Sequence, residues 1–181
     1  EWGPLPAHVG GVVALLRLLH DPNLPPLECA LRMVECRQKV GSDAVHREIV
    51  ESGHTLHSLP GTAELHAASW QTNEWLTTDR QGDVVVYERW GAIDPAKLLA
   101  EFPLEQFAKW QTYRWEARGM LLNTLSHKSK REVLYVNVID ARGTGMGHRK
   151  LLPYMKEFAA GDAAFTLPSC MSQTFFVGVN S

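Results

Sequence analysis

EVLYVNVIDARGTGMGH, residues 132–148, decides how the chain is read. Val133, Leu134, Tyr135, Val136, Val138 and Ile139 put apolar side chains on both parities of an extended segment. That pattern predicts a strand covered on both faces, as strands in α/β sheets are. Asp140 and the glycines at 143, 145 and 147 close it with a turn, and MGHRKLLPYMKEFAAG then resumes helical spacing, interrupted by Pro153. A helix that starts at such a turn points backbone N–H groups at it, which attracts anions. The spacing argues against a nucleotide. Gly143, Gly145 and Gly147 spell G-x-G-x-G, whereas the dinucleotide fingerprint requires G-x-G-x-x-G and the P-loop a Lys followed by Ser or Thr. A structural turn that uses glycine's backbone freedom is the plainer reading.

Working outward, VVVYERW at 84–90 is β-branched and aromatic, follows the turn cluster TTDRQGD and is closed by Gly91, so it reads as the first strand. Between these strands Leu104, Phe107, Trp110, Arg114, Ala117, Leu121 and Leu125 recur at three- and four-residue steps. They place an apolar stripe along one face of a long helix, which HKSKRE ends. TFFVGVN, residues 174–180, supplies the last strand. Strand, long helix, strand, helix, strand predicts an α/β sheet with crossover helices. Upstream, residues 12–40 have helical spacing broken by DPNLPP, DAVHREIVES at 43–52 adds a helix, and SGHTLHSLPG is loop. Residues 1–70 therefore read as a mostly helical leader and 71–181 as the core.

The composition excludes more than it names. A length of 181 residues suits one domain, and a net charge of −2 gives no electrostatic footprint for nucleic acid. No apolar run approaches the roughly 18 residues that span a bilayer, so a soluble chain is expected. Cys29 and Cys36 fall on one helix, about 10 Å apart at its rise per residue, which rules out a bridge there. With 3 cysteines in all, a reducing, cytoplasmic compartment and buried inert thiols are the expectation. The chain opens on Glu1 without a signal-like segment and reads as a piece of something longer.

Residues with chemistry are few. His54, His57 and His66 form an H-x-x-H cluster with Glu64 nearby, but solvent-exposed loop histidines explain them and no metal is expected. Ser169 and Cys170 in LPSCMS match no nucleophile signature. Asp140 and His148 would polarise water if the turn brought them together, though a strand-end Asp more often caps the turn after it. An α/β enzyme using DARGTGMGH stays as a lesser alternative, and neither a catalytic residue nor a cofactor is assigned. The 6 tryptophans are more informative, because Trp70, Trp75, Trp90, Trp110 and Trp115 crowd the central part of the chain. They form either core or the wall of an apolar cavity.

GDVVVYERWGAID, residues 82–94, resembles the G-R-P-V-Y-x-E-R-x-G-x-I-D segment that opens the lipid-binding core of the CRAL-TRIO family, which includes phosphatidylinositol transfer proteins of the secretory pathway. RWEARG on the long helix is similar to the family's W-E-x-E, VLYVNVIDARGTG to its strand ending in D-x-x-G, and FTLPSCMSQTFFVGVN to Y-P-E-R-x-x-x-x-x-I-V-N. LLRLLHDPNLPPLECALRMV is similar to its helical leader. The resemblance stops where the family continues into a gate helix and closing elements, so the C-terminal part of the domain reads as missing. It implies a mixed or parallel sheet flooring a cavity for one hydrophobic molecule, a phospholipid or a retinoid- or tocopherol-like compound, with transient contact to a membrane surface. Burial at about 0.8 kcal/mol per CH₂ makes such binding favourable without an enzymatic step.

The headgroup residues depart from the family's pattern. The arginine of members that bind phosphatidylinositol falls near Pro22 and their glutamate at Ser169, which does not support a phosphoinositide site. The phosphatidylcholine pattern implies Trp75, Val86, Trp115, Tyr135 and Asn137 as cavity lining, with Tyr87 able to replace Val86 in a shifted register. Tyr135 and Asn137 share strand parity with Ile139, and a buried Asn137 needs partners for its amide, from a ligand or from a structural network. An interaction or membrane-targeting module with a degenerate pocket is the second reading.

Overall fold

The computed structural model describes residues 17–19, 24–167 and 170–178, with the backbone alone at 75 and 76. It is a mixed α/β structure built on a four-stranded sheet in the order β1 (Thr72–Thr78), β2 (Val84–Glu88), β3 (Tyr135–Asp140), β4 (Met171–Val177). The first pair is antiparallel and the other two are parallel, so the sheet is mixed. The β1–β2 turn is tied by the Asp79 carboxylate, which accepts from the amides of Gln81 and Asp83, both at 2.8 Å.

Strand β1 departs from the expected order, in which β2 came first. TNEWLTT has weak apolar alternation, because an edge strand pairs on one side only and need not bury both faces. Two further boundaries move. Pro153 does not interrupt a helix. It stands in the first turn of α6 (Leu152–Ala160), behind a 3₁₀ turn at Met146–Leu151, where a missing N–H costs nothing. Strand β4 begins at Met171 rather than Thr174 and ends before Gly178, which turns the backbone at φ +73°.

The remaining helices are α1 (Pro26–Val40), α2 (Ser42–Ser52), α3 (Thr62–Ala67), α4 (Pro95–Glu101) and α5 (Leu104–Ser129). Pro26 starts α1 at the end of the expected break DPNLPP, and Gly41, at φ +71°, separates α1 from α2. Asp94 caps α4 by accepting from the amides of Ala96 and Lys97. Helix α5 is buried at every residue from Trp110 to Asn123, so it lies inside the protein rather than along its edge. On one side it meets the sheet, and on the other Glu116 takes Arg37 at 3.0 Å and His46 at 3.1 Å from α1 and α2.

Register defines the face that α5 covers. Val84, Val86 and Glu88 stand beside Tyr135, Asn137 and Ile139, and Thr174 and Phe176 continue the last two of these three rows on β4. The expectation of cover on both faces holds for most of β3, where Val136 on the opposite face is 7% exposed and only Val138 is half-buried. The cover fades across the sheet: Val85 and Tyr87 on β2 are half-buried there, and Phe175 and Val177 on β4 are 50% and 41% exposed. β-Branched residues on both parities record strand propensity as well as burial, so alternation alone overstates the cover.

The glycine turn resolves residue by residue. Gly143 sits at φ +92°, and a Cβ there would lie 3.0 Å from the carbonyl oxygen of Gly91. A Cβ at Gly91 would overlap the Arg142 carbonyl, so the turns after β2 and β3 pack backbone to backbone. Gly145 has open space around it and Gly147 meets only Pro95 at 3.9 Å. The close approach therefore belongs to Gly143 and Gly91, not to all three glycines of the motif.

Candidate ligand cavity

A cavity of about 660 Å³ lies between the β3–β4 half of the sheet and α1, α5, α6 and the 3₁₀ turn Asp162–Thr166. Tyr135, Asn137 and Ile139 form its floor, Trp115 and Phe158 its helical wall, and Phe176 the β4 side. Its volume falls in the range of sites that take a small organic ligand. Trp115 stands edge-on to Tyr135, with ring centroids 5.9 Å apart, and Trp90 stands edge-on to Phe158 at 5.6 Å and to Phe176 at 6.3 Å. Phe176 is 58% exposed, so the cavity is open along β4.

Behind the aromatic wall is a buried ion network. Arg114, inside the predicted apolar stripe of α5, gives its Nε to Glu74 at 2.6 Å and an Nη to Glu88. Arg118 pairs with the other oxygen of Glu74, and the Trp70 indole donates to Glu88 at 2.9 Å. The two guanidiniums also face the cavity's rings: Arg118 lies 4.5 Å from the Tyr135 centroid and 4.8 Å from Trp115, and Arg114 4.8 Å from Phe158. Burial pushes the Glu74 carboxyl up, but Arg114 and Arg118 outweigh it and hold the group below its ordinary range. Burial raises the Tyr135 phenol and pushes the Cys170 thiol up to about 11. All three cysteines are buried and unbridged.

The lining itself is left unsatisfied. Asn137 Oδ1, Trp115 Nε1 and Trp90 Nε1 are buried atoms without a hydrogen-bond partner. Buried polar groups are paired in the great majority of cases, and these three atoms are closed off even from the solvent that the open cavity admits.

Trp115, Tyr135 and Asn137 thus meet at one cavity. Val86 lies beside Asn137 in register but is fully buried under α5, in the core cluster with Met120 and Leu122 rather than in the lining. The Trp75 side chain lies outside the described residues, as do Ser169 and Pro22. Sequence reasoning did not assign Trp90, Phe158 and Phe176 to the cavity. Phe158 shares helical spacing with Leu151 and Tyr154, which reads equally as core, and only the fold turns it toward β4.

The glycine turn carries a different geometry. Asp140 accepts from Arg142 Nε at 2.9 Å and from the Tyr87 hydroxyl at 2.8 Å, and the hydrogen bonds from Arg142 hold its carboxyl well below the usual range. His148 Nδ1 accepts from the Gly145 amide at 3.1 Å. Asp140 and His148 are thus engaged separately. A smaller polar cavity, about 470 Å³, is lined there by Arg89, Gly91, Ala92, Asp140 and Arg142. His54 and His57 lie on the loop between α2 and α3, and His66 Nε2 accepts from the Thr72 amide at 3.4 Å. Among the described residues no group of at least 3 His, Cys, Asp or Glu is placed to hold a metal, and no helix is long and apolar enough to cross a membrane. No protein-family model matches the chain, and no curated protein matches it significantly.

Proposed function

We propose that the chain binds, and carries between membranes, one hydrophobic molecule, a phospholipid or another small lipid, in the cavity floored by β3 and β4. This is the activity that the resemblance to CRAL-TRIO domains implies. The observation that carries it is the convergence of Trp115, Tyr135 and Asn137, from two separate elements, on one aromatic-lined cavity of about 660 Å³. Apolar walls supply the affinity, at about 25 cal/mol per Å² removed from water, and the few polar groups orient what enters. The reading assigns no catalytic step and no cofactor.

Native mass spectrometry of the protein purified from cells, followed by solvent extraction, tests it. An apolar molecule bound in the native protein and released on denaturation is the expected result. A clean apo protein, with no thermal stabilisation on adding lipid vesicles, overturns it. A second reading, an interaction module, is favoured by the exposed apolar residues on α1 and β4. Leu27 and Leu31 are 74% and 57% exposed on one face of α1, and Phe175 projects from β4 on the face away from the cavity.

A further inference from the structure

We propose that the polar cavity at the carboxyl ends of β2 and β3 is a second binding site, which takes a small, water-soluble phosphate monoester on Arg89 and Arg142. The site is separate from the apolar cavity and does not depend on how that cavity is read. Its lining residues, Arg89, Gly91, Ala92, Asp140 and Arg142, all end or follow one of two parallel strands, at the edge of the sheet where open α/β folds bind their ligands. Arg142 is held there on several sides although its side chain is 69% exposed. Its carbonyl packs against Gly91, and a Cβ on Gly178 would collide with its stem. Its Nε and Nη2 fork onto the Asp140 carboxylate at 2.9 and 2.5 Å, and the Tyr87 hydroxyl fixes that carboxylate at 2.8 Å. A surface arginine ordinarily keeps its rotamer freedom, whereas one fastened by the ends of three strands is preorganised.

Charge makes the site one for an anion. Continuing the β2–β3 register one step past Glu88 and Ile139 sets Arg89 beside Asp140. Asp140 does not serve both arginines, because Arg142 engages both of its oxygens and Tyr87 one of them. Arg89 is exposed and, among the described residues, its guanidinium has no hydrogen bond or ion pair. The lining thus sets two cations against one carboxylate and leaves one guanidinium with its in-plane donors uncommitted. Guanidiniums arriving from two different turns suit a tetrahedral oxyanion, which offers oxygens in several directions, better than a planar carboxylate, which a single fork saturates. Among the described lining residues Ala92 is the apolar side chain, so nothing there shelters an acyl chain. That sets a soluble phosphate apart from a phospholipid headgroup.

The test titrates the purified chain with glycerol 3-phosphate and with acetate, read by calorimetry and phosphorus NMR, and mixes it separately with phosphatidylcholine vesicles containing phosphatidic acid. Saturable binding of glycerol 3-phosphate at one site per chain is expected, with acetate weaker. Arg89→Gln and Arg142→Gln are each expected to lower that affinity roughly tenfold, the effect of losing a charged hydrogen bond. Arg142→Lys keeps the charge but not the fork, and it is expected to lose nearly as much as Arg142→Gln. Because the Arg89 side chain has no partner among the described residues, Arg89→Gln is expected to leave the thermal midpoint unchanged, and it carries the test should the Arg142 variants fail to fold. No saturable binding, acetate bound as tightly as the phosphate, or an affinity that Arg89→Gln leaves intact overturns the proposal. Full affinity in Arg142→Lys overturns it too, since diffuse charge alone then explains the binding. Capture by the phosphatidic acid vesicles without binding of glycerol 3-phosphate overturns the soluble class and points to a headgroup instead.

Discussion

One face of one sheet is used in two ways. Under the β1–β2 half, α5 sets Arg114 and Arg118 against Glu74 and Glu88, and both oxygens of each carboxylate are engaged. Under the β3–β4 half, the same helix contributes Trp115, the floor contributes Asn137, and neither side chain's orphaned atom finds a partner. Both halves are buried and both contain polar groups. They differ in what the polar groups meet. On the first side charges answer one another, although Arg118 Nε and Gln111 Nε2 stay unpartnered. On the second the orphaned atoms have no charged neighbour to answer them and belong to residues that line a cavity. Buried polarity met by opposite charge holds the structure together, and buried polarity without a partner costs stability where it stands.

The largest test of that comparison removes one side of the closed network. Arg114→Met leaves Glu74 and Glu88 short of a partner in a buried setting, with an expected loss of about 3–5 kcal/mol in urea unfolding. A loss below about 1 kcal/mol would make the network behave like a surface pair and dissolve the contrast. Acid provides the next test. Because Glu74 is held below its ordinary range, its stabilising contribution is complete above the unfolded-state value of about 4.3 and is lost as pH falls toward the folded-state value. The thermal midpoint is expected to drop as pH goes below about 4, and Glu74→Gln, itself destabilising, to flatten that slope.

The open half predicts the reverse response. Asn137→Leu replaces an amide whose oxygen is unpartnered with an apolar group of similar size, so the unliganded protein is expected to hold its stability or gain up to about 1 kcal/mol by the same unfolding measurement. A loss as large as that at Arg114 would show that Asn137 belongs to a closed network after all. Smallest is the outer face: Phe175→Ser, at a half-exposed position on β4, is expected to change stability by no more than about 0.5 kcal/mol while lowering the binding of a hydrophobic dye.

Much of the fold was legible because it is written in periodicity. The three- and four-residue recurrence along α5, the strands β2 and β3, and the shared parity of Tyr135, Asn137 and Ile139 all follow from local spacing. What periodicity reports is a face, not the chemistry on it. Arg114 fits the apolar stripe by spacing, yet its partners Glu74 and Glu88 are 40 and 26 residues away in the chain. Strand β1 was missed for a related reason, since its polar sequence pairs only because β2 offers it an edge.

The chain's own sequence determined its class of structure: a long helix between strands, a glycine-bearing turn after the strand that ends at Asp140, and an asparagine on the same parity as its aromatic neighbour. Those are local matters of backbone freedom and side-chain spacing. Only the tertiary structure decided that Val86 is core while Asn137, its neighbour in register, borders a cavity, and that Trp90, Phe158 and Phe176 complete the wall. The reason is geometric. One face of a sheet is a single surface to the sequence, and what lies above each row depends on where a helix from elsewhere in the chain comes to rest and where it leaves room.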